Sequence, residues 1–193
     1  MRIYKIVFLS IFSLYSITTQ AQQVFNHDDT LRGTISPIRD WFDITYYDIT
    51  VQPDFNTKTI LGHTTWTFKV VKKAQLMQVD LQQPLIIDSI IFENKKISFE
   101  RYHNVAFVTN NNNLPVNSIQ KLDIYYHGQP KEAIKPPWDG GWIWKKDANG
   151  KPWASVACQN LGSSVWYPCK DHQSDEPDDG ASLTMIVPAA LDA

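Results

Sequence analysis

An all-β fold is what this sequence predicts: an antiparallel β-sandwich or an open, saddle-shaped pair of sheets. Three observations predict it. Residues 60–70 alternate strictly, with Ile60, Gly62, Thr64, Trp66, Phe68 and Val70 on one face and His63, Thr65, Thr67 and Lys69 on the other. Short β-branched and aromatic runs then recur along the chain, separated by turn residues, and no stretch beyond the first twenty residues keeps a helical period.

The elements follow in order. Arg2 and Lys5 precede an apolar run over residues 6–17, and Thr19 and Ala21 supply small residues three and one before a cut. This is the pattern of a secretory signal peptide over residues 1–21. The run falls short of the roughly 20 apolar residues that cross a bilayer, so no transmembrane segment is expected after cleavage. The mature chain is expected to be exported, whether periplasmic, surface-associated or secreted. Residues 22–40 are polar and aperiodic and read as a flexible leader, and residues 41–193 read as one domain.

Within that domain, residues 42–51 form the first predicted strand, since Tyr47, Ile49 and Val51 alternate with Asp48 and Thr50; residues 53–57 turn the chain. The return strand over 60–70 places Trp66 and Phe68 in the core and leaves His63 on the wetter face as a surface residue rather than a ligand. Further strands are expected at 76–81, 85–92, 97–99, 105–109, 119–126, 153–159 and 182–187. The joints between them are Gln82-Gln83-Pro84, Glu93-Asn94-Lys95-Lys96, the asparagine run 110–113, Gly128-Gln129-Pro130 and Asn149-Gly150.

Composition narrows the class. A net charge of -2 with 43% hydrophobic residues fits one globular domain. The lysine pairs Lys72-Lys73, Lys95-Lys96 and Lys145-Lys146 are scattered, so no nucleic-acid partner is expected.

Motifs for chemistry are sparse. His27, His63, His103, His127 and His172 stand in no H-E-x-x-H arrangement, and there is neither a G-x-S-x-G elbow nor a Gly-rich phosphate loop. Cys158 and Cys169 are the only cysteines. A bridge between them would stabilise by roughly 2–3 kcal/mol; two buried free thiols are the alternative, and a cysteine zinc site is excluded. Asp171, Asp175, Glu176, Asp178 and Asp179 crowd one stretch. They lack the alternate spacing and central glycine of a calcium loop, so the reading is a rigid surface turn bracketed by Pro168 and Pro177, with its charges in water. Asp171 alone is expected to be structural, capping backbone N–H groups beside the turn. Trp138, Trp142, Trp144 and Trp153 are expected on loops, as an interface or as a platform for a glycan or peptide.

Residues 156–193, VACQNLGSSVWYPCKDHQSDEPDDGASLTMIVPAALDA, resemble the closing motif of the N-terminal β domain in the aminopeptidase N family of zinc metallopeptidases, which includes the leukotriene hydrolases. There a Gln-bearing strand leads to an aromatic-Pro-Cys-x-Asp turn and a strand ending in Val-Pro. YYDITVQPDFNTKTILGHTTWTF (46–68), VDLQQPLIIDSIIFENKKI (79–97) and LDIYYHGQP (122–130) are similar to the family's earlier strands, so the likeness spans 41–193.

The resemblance implies a domain that covers the cleft of a following thermolysin-like catalytic domain. In the family that second domain holds zinc with two histidines and a glutamate and uses a further glutamate as base. It also implies that Gln159 hydrogen-bonds near the free amino terminus of a peptide substrate. Ser164 stands where many relatives carry arginine, and Leu161 where some carry an acid. Neither Gly-x-Met-Glu-Asn nor H-E-x-x-H occurs in the sequence, so these 193 residues are expected to be a fragment or a free-standing remnant of a zinc aminopeptidase, inactive alone and without bound zinc. The rival expectation is a secreted, non-catalytic β-sandwich module that binds a glycan or protein through the tryptophan-rich segment 138–153.

Overall fold

The computed structural model describes residues 26–73, 76–109 and 113–188; the expected signal peptide lies outside them. Among the described residues eleven strands follow one short helix: α1 (His27–Gly33), β1 (Phe42–Asp54), β2 (Thr59–Val70), β3 (Met77–Asp80), β4 (Ile86–Phe92), β5 (Lys95–Ile97), β6 (Phe99–Tyr102), β7 (Val105–Val108), β8 (Ile119–Gly128), β9 (Gly141–Lys146), β10 (Pro152–Ala157) and β11 (Ala181–Met185). They form a six-stranded sheet in the order β11-β1-β2-β8-β4-β5, a three-stranded sheet β3-β7-β6 and the two-stranded hairpin β9-β10. The fold is all-β, as expected. One pairing departs from the antiparallel expectation: β11 runs parallel to β1, with Ile49 beside Leu183 and Val51 beside Met185.

The alternation of β1 and β2 is realised as burial. Tyr47, Ile49 and Val51 face inward with Ile60, Trp66, Phe68 and Val70, while His63 stays on the outer face against Asp123 at 3.2 Å. All three sheets feed one core, in which Trp41, Phe42, Trp66 and Phe68 meet at ring separations of 5.0–6.1 Å. Full burial of side chains of this size stabilises by roughly 1.5–3 kcal/mol each. Gly62 lies opposite Tyr126 in the β2–β8 pair, and the tyrosine ring fills the space a side chain would take: a Cβ there would stand 2.1 Å from Tyr126 Cζ.

Three expectations are corrected. The flexible leader over 22–40 is, across residues 26–40, a capped helix and a turn. The Asn26 side chain accepts from the N–H groups of Asp28 and Asp29 at 2.8 and 3.2 Å, and Asp29 Oδ2 accepts the Asn26 N–H at 2.9 Å, closing a capping box. At the other end Arg39, fully buried, donates to the carbonyls of Leu31, Arg32 and Thr34 at 2.9, 2.6 and 3.1 Å, supplying partners to carbonyls that have none within so short a helix. Second, the strand expected at 97–99 is split between β5 and β6, which belong to different sheets. Third, Trp142 and Trp144 sit on β9 rather than on a loop. Trp142 is 1% exposed in the core, and Trp144 packs on it at 5.1 Å. That leaves Trp138 and Trp153 as the exposed members of the proposed platform.

Candidate functional site

The hairpin β9–β10 delivers the chain to Gln159, and left-handed residues end it there. Asn160 at φ 62° and Gly162 at φ 77° reverse the backbone, while the N–H groups of Leu161 and Gly162 both donate to Cys158 O at 3.2 and 3.0 Å. Gln159 therefore stands in the turn just beyond β10, not on the strand itself. It is exposed, and its side-chain amide has no hydrogen-bond partner among the described residues. Gly140 closes the near side: a Cβ there would lie 2.7 Å from Gln159 O and 2.8 Å from Leu161 Cγ.

Two side chains from distant parts of the sequence hold this turn. Arg32, in the last turn of α1, donates through Nη1 to Leu161 O and through Nη2 to Asn160 O at 3.0 Å. Gln82, after β3, donates to the same Leu161 carbonyl at 2.5 Å and to Ser164 Oγ at 2.9 Å, and its own N–H reaches Ser164 O at 2.8 Å. Ser164 Oγ in turn donates to Asp171 Oδ2 at 2.5 Å, and the Asp171 N–H donates to Asp80 Oδ2 at 2.9 Å. Asp171 thus caps the 3₁₀ turn Ser163–Val165, the structural role expected of it.

Asp80 is the hub. Its carboxylate meets Arg39 Nη2 at 2.9 Å and Gln78 Nε2 at 2.7 Å, with almost no solvent contact. Burial pushes its carboxyl up to about 6, more than the neighbouring Arg39 guanidinium lowers it. The backbones of Asp80 and Cys169 also exchange hydrogen bonds at 2.9 and 3.0 Å, which pins the Tyr167-Pro168-Cys169 turn to β3. On the core side the indole of Trp66 donates to Pro168 O at 3.0 Å.

Residues 166–180 are a fixed corner, as expected, with one correction. Asp175 is not in water. It accepts from the Tyr47 hydroxyl at 2.7 Å and pairs with the buried Lys170 at 3.4 Å, while Lys170 Nζ donates to Phe42 O at 2.9 Å. Glu176, Asp178 and Asp179 are the exposed acids. Cys158 and Cys169 are both free thiols. Burial pushes each thiol up from its ordinary value, so little thiolate forms and neither is an activated nucleophile.

The surroundings of Gln159 are polar and open. One hollow of about 500 Å³ is lined by Arg32, Asn160, Gly162, Asp171 and His172, and another of about 250 Å³ by Arg32, Gln82, Lys131, Leu161 and Ser164. The arrangement presents one free carboxamide on a braced turn, suited to accept from or donate to a bound polar group. No three His, Cys, Asp or Glu side chains among the described residues come together as a metal site. Nor is any helix among them long and apolar enough to cross a membrane.

The fold is similar to part of the solved M1 zinc metallopeptidase structures. Two of the matching solved structures illustrate the likeness. Over 81% of this chain and 34% of its own, an M1 zinc metallopeptidase from Deinococcus radiodurans, in a mutant bound to a Tyr-Ser-Ala substrate, superposes with a TM-score of 0.59 at 20% identity. Leukotriene A4 hydrolase from Saccharomyces cerevisiae superposes with a TM-score of 0.61 at 18% identity, over 93% of this chain and 27% of its own. The likeness is one of fold, and the chain spans about a third or less of the length of these structures. No protein-family sequence profile matches the chain, and no curated protein does.

Proposed function

We propose that this chain is the N-terminal, cleft-covering domain of an exported zinc-dependent aminopeptidase that removes residues from the amino ends of peptides. The observation that carries the reading is Gln159. Its carboxamide is exposed and has no hydrogen-bond partner among the described residues, on a turn that Arg32 and Gln82 brace from two sides, within a fold shared with M1 zinc metallopeptidases. An exposed side chain on a turn whose Cys158, Asn160 and Leu161 carbonyls are all bonded is placed to meet a ligand. In this reading Gln159 hydrogen-bonds beside the free amino terminus of the peptide. Zinc and the base that activates water belong to a catalytic domain joined to this one, and the chain alone hydrolyses nothing. Leu161 stands where some relatives are expected to carry an acid that meets the amine, so recognition of the amine falls on Gln159 and on the catalytic domain, while Ser164, where many relatives are expected to carry arginine, bonds Asp171 and Gln82.

The test uses the protein as its host makes it. Chelator-sensitive release of the first residue from an unblocked peptide, with no release from the N-acetylated peptide, is the expected result. Absence of any such release, with the zinc content measured, overturns the proposal.

A further inference from the structure

Ile134 and Trp138 are 85% and 79% exposed, more than any other large apolar side chain among the described residues. Both stand on one turn that is held in shape. Asp139 accepts the N–H groups of Ile134 and Lys135 at 2.6 and 2.8 Å, and the Trp138 N–H donates to Lys135 O at 2.9 Å. The turn is moored to β9 by bonds from Ala133 N to Trp142 O at 3.0 Å and from Trp142 N to Lys131 O at 2.6 Å. An aromatic and an aliphatic side chain fixed outward in this way lose little conformational freedom on entering a ligand surface. On the neighbouring hairpin Trp153, 48% exposed, sits directly across from Lys145.

Charge singles out the same segment. Residues 131–153 hold five lysines, Lys131, Lys135, Lys145, Lys146 and Lys151, against three acids, whereas the remainder of residues 26–193 holds eleven cationic side chains against seventeen carboxylates. Every acid in the segment is engaged: Glu132 pairs with Lys58 at 2.9 Å, Asp139 caps its turn, and Asp147 accepts the N–H groups of Asn149 and Lys151 at 2.8 Å each. The five lysines are exposed and make no ion pair among the described residues. A net-acidic chain therefore carries one basic segment, the flank 131–153, with Ile134 and Trp138 exposed on its first turn.

We infer that this flank docks on an anionic lipid bilayer, with Trp138 and Ile134 entering the headgroup boundary and the lysines meeting lipid phosphates. Tryptophan favours that boundary, and each lysine near an anionic surface adds its own attraction. Two protruding apolar side chains without a surrounding apolar field suit a fluid bilayer better than the packed face of a second protein, which needs roughly 800 Å² per partner. The inference does not depend on the peptidase reading.

The test mixes the protein, purified as its host makes it, with phosphatidylcholine vesicles that contain or lack phosphatidylglycerol, and reads co-sedimentation. Binding to the phosphatidylglycerol vesicles alone, weakened by salt, is expected. Trp138→Ala with Ile134→Ser should lower the partition coefficient about tenfold, and each Lys→Gln change at 145, 146 or 151 roughly fivefold. All these side chains are exposed, so the fold should survive their loss. The inference is overturned by absence of binding, by equal binding to neutral vesicles, or by binding that these variants leave unchanged. Capture by an immobilised acidic polypeptide without vesicle binding would overturn it too and assign the flank to a protein.

Discussion

Arg39 and Asp80, forty-one residues apart, meet at 2.9 Å with essentially no solvent contact, and through them the N-terminal helix, β3 and the corner after Tyr167 become one unit. Arg39 spends its Nη1 on the carbonyls at the end of α1, and Asp80 holds the Asp171 N–H. The helix that bears Arg32, and hence the turn that bears Gln159, is therefore anchored by a buried ion pair.

Removing the cation should expose how much depends on it. Arg39→Met leaves a carboxylate buried without its partner, and the expected loss at neutral pH is about 3–5 kcal/mol by urea denaturation. The deficit should shrink as pH falls and Asp80 takes up a proton, because a neutral acid tolerates the missing guanidinium. A deficit independent of pH would contradict this.

Asp80 in the wild-type protein predicts a slope of definite sign. Its folded value, about 6, lies above the ordinary 3.8, so the folded state binds this proton more tightly than the unfolded state. The stabilisation from the neutral form is complete below pH 3.8 and is lost as pH rises through about 6. Stability measured against pH should carry a falling component over that window in wild type, and Asp80→Asn should lack it.

Gly62→Ala should cost about 1–3 kcal/mol, since its Cβ would collide with the Tyr126 ring in a fully buried pair. Combined with Tyr126→Leu, the glycine substitution should cost much less, and a double-mutant cycle reads the coupling. Simple additivity would show that the ring and the glycine do not constrain each other.

Gln82→Ala removes one of the two donors on Leu161 O and the partner of Ser164 Oγ. The Leu161 and Gly162 amides should then exchange with solvent markedly faster than in wild type while the β2 amides keep their protection, as hydrogen exchange by mass spectrometry would resolve. Uniform loss across the sheet would mean that Gln82 supports the whole fold rather than this turn.

How much of this was legible in the sequence follows from where burial alternates. β1 and β2 could be read because each buries one face, so apolar and polar residues take turns from Tyr47 to Val51 and from Ile60 to Val70. β3 gave a weaker signal, since Met77, Gln78, Val79 and Asp80 are all buried and two of them are polar. β9 was hidden by its neighbours: Pro136-Pro137, Gly140-Gly141 and the 147–150 turn dominate a six-residue strand. α1 is seven residues long, too short to show a period, although Asn26 and Asp29 spell its capping box. The direction of β11 is set by the route of the corner before it, to which no local residue testifies.

The site was legible in part. Asp171 could be picked out because it stands beside a recognisable turn. Arg32, Arg39 and Gln82 could not, since a polar residue held by carbonyls far along the chain leaves no local pattern. Asp175 was lost among its acidic neighbours, and only its contacts with the Tyr47 hydroxyl and Lys170 distinguish it.

The most direct test of the account is the steady-state kinetics of Gln159→Ala in the protein as its host makes it, with an unblocked peptide and with folding checked by circular dichroism. The account predicts a KM raised roughly tenfold, the loss of one hydrogen bond to a charged amine, with the fold unchanged. A KM and kcat equal to wild type would contradict it, leaving Gln159 as an exposed turn residue with no part in binding.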